Sequence, residues 1–268
     1  MKIVLGTANF SQDYGFRKKS IRSINKINKI LNYCKKNKIK FLDTAVSYIK
    51  DKNIEKKIAK SGLKIITKFS IKDLNINHKN KNDFSTKFQK KLNITDTNNV
   101  YAVLLHDYKD LINKKYRYKI LNELKNLKKK KKIKKIGVSV YDPSDLQKVI
   151  KHLRPDIIQL PINPLNQSFL KNNILKKLIQ KKIEIHVRSV FLQGMLLMKY
   201  NDLPYKFKKK QSIIMWNRWC TKNKIKKLEA CTVFIKSIKE IDKVVIGVDN
   251  LKNLKQIFYE FCINKKKN

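Results

Sequence analysis

Residues 99–106 read NVYAVLLH: six apolar or aromatic residues between an asparagine and a histidine. The run does not alternate apolar with polar, so neither face of a strand built from it would be wet. Strands of that kind belong to parallel sheets covered on both sides. Seven further runs share the character: KIVLG 2–6, IKFLD 39–43, LKIITK 63–68, IKKIGVS 133–139, PDIIQL 155–160, KIEIHVR 182–188 and DKVVIGV 242–248. Between them lie segments with helical spacing. SIRSINKINKILNYCKKN sets Ile21, Ile24, Ile27, Ile30 and Leu31 on one stripe, with Ser20 as the predicted N-cap. NILKKLIQKK and LKNLKQIFYEF repeat the pattern, and DPSDLQKVIKHL opens with acidic residues suited to the positive end of a helix.

Eight strand–helix repeats in 268 residues predict an α/β fold, a single (β/α)8 TIM barrel running as one domain over residues 1–268. The other candidate, a doubly wound open sheet, would carry a nucleotide on a glycine-rich first turn. The chain has six glycines, none in G-x-G-x-x-G or G-x-x-x-x-G-K spacing, and neither H-E-x-x-H nor G-x-S-x-G occurs. The long interval 189–241 predicts an excursion over the C-terminal rim of the barrel.

Charge is the most conspicuous feature of the composition: 64 basic against 20 acidic residues, a formal net charge of +44. Such a balance raises nucleic acid or an anionic membrane as partners. Only six of the basic residues are arginine, the side chain that nucleic-acid readers favour, and the lysines are spread along the whole chain. With abundant Ile and Asn and scarce Ala and Gly, the bias is that of an AT-rich genome. The expectation is no specific nucleic acid partner and no membrane partner. Lys128–Lys132 is read as a solvated loop between helix and strand. The four cysteines form no C-x-x-C pair, and no apolar leader or spanning run is read, so the expectation is reduced thiols in a cytoplasmic protein.

In a barrel of this kind, chemistry gathers at the C-terminal ends of the strands. The second run ends at Asp43 with Tyr48 close behind, the third at Lys68 and the fourth at His106. Neighbouring strands let Lys68 answer the Asp43 carboxylate. A free phenol titrates near 10, too high for easy proton donation at neutral pH. An ammonium about 4 Å away favours phenolate by roughly 4 kcal/mol at an effective dielectric of 20. The expectation is therefore a Tyr48 phenol lowered by up to about three pKa units before opposing desolvation. A neutral His106 would orient a substrate oxygen. Any one of these residues is ordinarily structural; the four together at three successive strand ends suit carbonyl reduction.

In order and over nearly the whole chain, LGTANF 5–10, FLDTAVSY 41–48, IITKF 65–69, VLLHD 103–107, IGVSV 136–140, IIQLPIN 157–163 and VVIGVDN 244–250 resemble the aldo/keto reductases. YGF 14–16 and VRSVFLQGMLLM 187–198 are similar to bacterial members encoded with polysaccharide and sugar-nucleotide genes. The resemblance implies the same barrel and reversible hydride transfer between a nicotinamide cofactor, usually NADP with NAD possible, and a carbonyl substrate. It also implies no metal, and a tetrad of Asp43, Tyr48, Lys68 and His106 with Tyr48 as acid/base. Ser139 and Gln159 match the groups that hold the nicotinamide carboxamide, while Val140 stands where an asparagine is usual. Arg188 stands where an aromatic residue stacks on the nicotinamide; its planar guanidinium can stack too. Ser189, Phe191, Gln193 and Gly194 fall on the pyrophosphate strap, and Gly247, Asp249 and Asn250 open the last helix toward the adenosine end. Asn163 and Asn250 equally suit ordinary turn or cap chemistry. In the motif that grips a 2′-phosphate, Gly247 and Asn253 replace basic residues and Asp249 adds a carboxylate, which Lys252 and Lys255 offset. The departures at Val140 and Arg188 keep open a second reading, a catalytically weak barrel acting as a binding or accessory protein.

Overall fold

The structure, a computed structural model, describes residues 1–16, 20–74, 83–92 and 99–263. Its elements run β1 (Lys2–Gly6), α1 (Ile24–Lys36), β2 (Phe41–Asp43), α2 (Lys52–Ala59), β3 (Lys64–Phe69), α3 (Asp83–Leu92) and β4 (Val100–Leu105). Then follow α4 (Lys109–Ile112), α5 (Arg117–Lys129), β5 (Lys135–Ser139), α6 (Pro143–His152), β6 (Ile157–Pro161), α7 (Ile174–Gln180) and β7 (Glu184–Arg188). After α8 (Tyr205–Lys208), α9 (Gln211–Lys222) and α10 (Lys227–Ser237), β8 (Lys243–Gly247) and α11 (Leu251–Phe258) complete the order. The eight strands pair in parallel and in sequence, and β8 closes on β1, giving the predicted (β/α)8 barrel.

Two apolar cores follow from the period-two geometry of strands. The larger lies between barrel and helices, where Leu5, Leu42, Ile65, Val103 and Val138 meet helix residues such as Ile27, Ile30, Ile54 and Leu124. The smaller consists of strand residues alone: Val4, Phe41, Ile66, Ala102, Leu104 and Ile157 fill the barrel interior. Gly137 makes room for it, because a Cβ there would lie 2.9 Å from Leu104 and 2.7 Å from the Ile157 carbonyl oxygen. Two residues beyond these interior side chains come Gly6, Asp43, Lys68, His106 and Gln159. Alternation thus hands one face of each strand from apolar filling to the polar mouth.

Helix α1 corrects one expectation. Its N-cap is Ser23, accepting from the Lys26 amide, not Ser20. The Ile21 and Arg22 amides bond to the carbonyls of Asn9 and Phe10, and Arg22 takes φ 44°. Those bonds tie the segment to the loop after β1, so the helix starts later, although Ile21 is still buried. Lys128–Lys132 spans the end of α5 and the turn before β5, mostly exposed as read. The excursion between β7 and β8 carries α8 and α9, and α10 returns from it. Among the described residues no helix is long and apolar enough to cross a membrane, and no His/Cys/Asp/Glu group is arranged to hold a metal.

Candidate active site

A cleft of about 580 Å³ opens at the C-terminal mouth of the barrel. Asp43 and Lys68 form an ion pair on its floor, each side chain 4% exposed or less. The second Asp43 oxygen accepts from Gln159 Nε2 at 2.8 Å, so the carboxylate is held from two sides. Backbone bonds arrange the remaining two predicted residues around the end of β3. The Val46 amide donates to the Lys68 carbonyl at 2.8 Å and the Tyr48 amide to Ala45 at 3.0 Å, which folds the loop after β2 over the pair. Ser11 Oγ donates to the Tyr48 carbonyl at 2.6 Å. The His106 amide donates to the Phe69 carbonyl at 2.8 Å. As a result Tyr48 Oη lies 3.5 Å from His106 Nε2, and Lys68 Nζ lies 5.4 Å from the Tyr48 ring centre. All four predicted side chains therefore converge.

The electrostatics differ from the expectation in one respect. The Tyr48 phenol is raised, not lowered: burial pushes it up first, the Asp43 charge adds to that, and Arg188 opposes. Depth of burial decides the direction. Burial also draws the Lys68 ammonium downward against the support of Asp43. His106 falls to about 4, through burial first and the Lys68 charge second, so its imidazole is neutral at pH 7 as expected.

The predicted cofactor residues separate into two groups. Gln159, Arg188, Ser189, Phe191, Gln193, Gly194, Gly247 and Asp249 line the cleft. Ser139 and Asn250 do not. The Ser139 hydroxyl lies behind Arg188 and accepts from its Nε at 3.4 Å. Asn250 caps α11, accepting from the Asn253 amide at 2.9 Å. Asn163 likewise serves a turn, accepting from Leu165 and Asn166. Lys255 leans over the ring of Tyr33 on α1, and neither it nor Lys252 lines the cleft. Residues the sequence reading missed also form the wall: Asn9 and Tyr14 from the loop after β1, Lys226 and Lys227 at the start of α10, and Gln256 on α11. Tyr14 lies in the quoted YGF stretch; Lys226 sits in a lysine-rich turn with no distinguishing signal.

The wall fits a nicotinamide dinucleotide in a specific way. Gln159 Oε1 and Asn9 Oδ1 are buried acceptors without a partner, and both residues line the cleft. Unpaired buried acceptors are costly, so each takes a donor from what fills the cleft, and a carboxamide amine or a ribose hydroxyl would suit them as water does. Gly247 leaves the adjoining wall open, with no atom within 4 Å of where its Cβ would be.

A closed parallel barrel with an open cleft at its C-terminal mouth defines the (β/α)8 class. The aldo/keto reductase family model matches residues 2–267, and the chain belongs to that family. This is a family of oxidoreductases that act on small carbonyl compounds and generally use NAD(P)H. Solved structures repeat the fold at low identity. An aldo-keto reductase of Bacillus halodurans in its holo form is 14% identical, with TM-score 0.75 over 98% of this chain and 87% of its own. The glycerol dehydrogenase of Gluconobacter oxydans is 15% identical, with TM-score 0.66 over 96% of this chain and 86% of its own. A thermostable aldo-keto reductase in complex with the inhibitor epalrestat is 16% identical, with TM-score 0.68 over 98% and 90%. No curated protein sequence matches the chain.

Proposed function

We propose that the chain catalyses reversible hydride transfer between NADP(H) and a small carbonyl compound of sugar type, with Tyr48 as general acid/base. In this reading residues 1–268 work as one domain in the cytoplasm, without a specific nucleic-acid partner. The observation that carries it is the buried Lys68–Asp43 pair beneath a phenol that faces a neutral imidazole, at the mouth of an open cleft.

The nicotinamide supplies the hydride when bound. Gln159 and Asn9 would hold its polar groups, and Ser189, Phe191, Gln193, Gly194 and Gly247, which line the cleft, would hold its pyrophosphate. The chain's own chemistry concerns the oxygen. As the carbonyl is reduced, its oxygen takes on alkoxide character and becomes basic enough to accept a proton. Tyr48 is placed to donate it, and its raised phenol keeps the proton in place beforehand. His106, neutral, presents Nε2 to the same oxygen. Lys68 adds positive charge below, held by Asp43. In the reverse direction the raised phenol leaves little phenolate to act as base, so alcohol oxidation is expected to rise with pH through the alkaline range.

Fluorescence titration of the protein with NADPH, followed by turnover of a panel of aldehydes, tests the reading. Saturable NADPH binding with NADPH-dependent aldehyde reduction is expected. Binding without turnover of any aldehyde would leave an accessory barrel instead.

A further inference from the structure

Arg188 is one of the cations lining the cleft, and neither cleft carboxylate pairs with it: Asp249 accepts from Asn9. Asp43 is already committed to Lys68 and Gln159. Arg188, at the end of β7 and lining the same cleft, has no ion-pair partner among the described residues; its partners are Ser139, Ser189 and the Val140 carbonyl. Its guanidinium plane rests on the Tyr141 ring, 4.3 Å from the centre. The stacking surface that would suit a nicotinamide is thus occupied on that side by the protein itself.

A guanidinium has five N–H groups and cannot be deprotonated in a protein. Nε–H points to Ser139 Oγ at 3.4 Å, one N–H of Nη1 to Ser189 Oγ at 3.4 Å and one of Nη2 to the Val140 carbonyl at 3.1 Å. Two N–H groups are left, one on each terminal nitrogen. That is the number a carboxylate takes in a two-point contact. The contacts already made fix the group in place, so little ordering remains when an anion arrives. Its field reaches the reacting end of the cleft, where it opposes the upward shifts of both Tyr48 and Tyr14.

We infer that Arg188 is the specificity-determining residue and that the carbonyl substrate carries a carboxylate, bound by the two free N–H groups of its guanidinium while Tyr48 faces the carbonyl oxygen. The substrate's identity rests on the reductase reading, whereas the anion site stands on Arg188 alone. It moves Arg188 from the cofactor, where the family resemblance puts it, to the substrate.

Two measurements test this independently. The first compares kcat/KM for glyoxylate, succinate semialdehyde and para-carboxybenzaldehyde, each against its own amide, in the wild type, Arg188→Gln and Arg188→Lys. At least one carboxylate is expected to exceed its amide by about 10- to 100-fold, the usual worth of charge-assisted hydrogen bonds. The ratio should fall to within about threefold in Arg188→Gln, chiefly through KM, and take an intermediate value in Arg188→Lys, which keeps the charge without the fork. The second needs no turnover: ligand-observed NMR of benzoate against benzamide with NADPH present, where Arg188→Gln should weaken benzoate at least about 10-fold. Circular dichroism confirms that each variant folds, and Arg188→Lys decides the matter if Arg188→Gln does not. Aldehyde turnover without carboxylate preference would overturn the anion site and leave the reductase standing. Arg188-dependent benzoate binding with no turnover would do the reverse. Benzoate binding unchanged in a folded Arg188→Gln, or absent from the wild type, also overturns the site.

Discussion

Lys68 and Asp43 form an ion pair sealed from solvent at the base of the cleft, with Gln159 occupying the second carboxylate oxygen. Removing one partner of such a pair leaves a buried charge without an answer, which typically costs about 3–5 kcal/mol. Asp43→Asn is therefore expected to lower unfolding free energy by about that amount, measured by urea denaturation. Adding Lys68→Met should restore much of the loss, because the orphaned ammonium is gone, while reductase activity remains absent. A single variant as stable as the wild type would show that the pair does not hold the cleft together.

His106 is expected to remain neutral well below the usual histidine range. Burial and the Lys68 charge bring its pKa from 6.5 to about 4. Side-chain NMR should show its imidazole signals unchanged from pH 8 to about 5, and moving only as the pH nears 4. Correspondingly, kcat/KM for reduction should show no acid limb near 6.5. A His106 titration close to that value would mean that water reaches the ring freely.

The opposite end of the barrel offers a stability test. Glu184 is the shared partner of Lys135, Lys243 and the Tyr101 hydroxyl, with His186 Nε2 also 3.2 Å away. Glu184→Gln leaves Lys243 buried among cations, and about 3 kcal/mol of stability should be lost at pH 7. Burial and the neighbouring lysines already pull Lys243 down to about 8. With the carboxylate gone it should fall further. A lysine whose folded pKa lies below its unfolded value releases its proton first in the folded state, so stability recovers as pH rises through the folded value. The gap between variant and wild type should accordingly be smaller at pH 9 than at pH 7. An equal gap at both would place the loss in packing rather than charge.

Much of this architecture is legible in the sequence, for a specific reason. Parallel strands covered on both sides must be apolar on both sides, so runs such as VYAVLL and KIVLG announce themselves. Where such a run ends in Asp43, Lys68 or His106, the polar residue marks the mouth of the barrel. The rest depends on long-range packing that local patterns do not encode. Tyr141 and Arg188 are 47 positions apart in the chain, yet their side chains stack. Asn9 reaches the cleft because it donates to the Val248 carbonyl across the β1–β8 closure. The direction of the Tyr48 shift is not legible locally, because proximity to Lys68 follows from strand order, whereas depth of burial does not.

Cofactor choice should be only modestly biased. Asp249 lines the cleft and accepts from Asn9 Nδ2 at 3.3 Å, while Lys226 and Lys227 face the same cleft. A carboxylate repels a 2′-phosphate and suits a ribose hydroxyl, and lysines do the opposite. Dissociation constants in one buffer should favour NADPH over NADH by no more than roughly 10-fold, about 1.4 kcal/mol. Asp249→Asn should shift the ratio further toward NADPH. A strong NADH preference in the wild type would show that Asp249 reads the ribose.

Tyr48→Phe tests the central claim most directly, because it removes one oxygen and leaves the ring that His106 and Lys68 surround. NADPH affinity by fluorescence titration should stay close to that of the wild type. Carbonyl reduction should fall by at least about 100-fold, the lower reach of general acid catalysis. A Phe variant that binds NADPH and turns over at a near wild-type rate would contradict the assignment of Tyr48 as the proton donor.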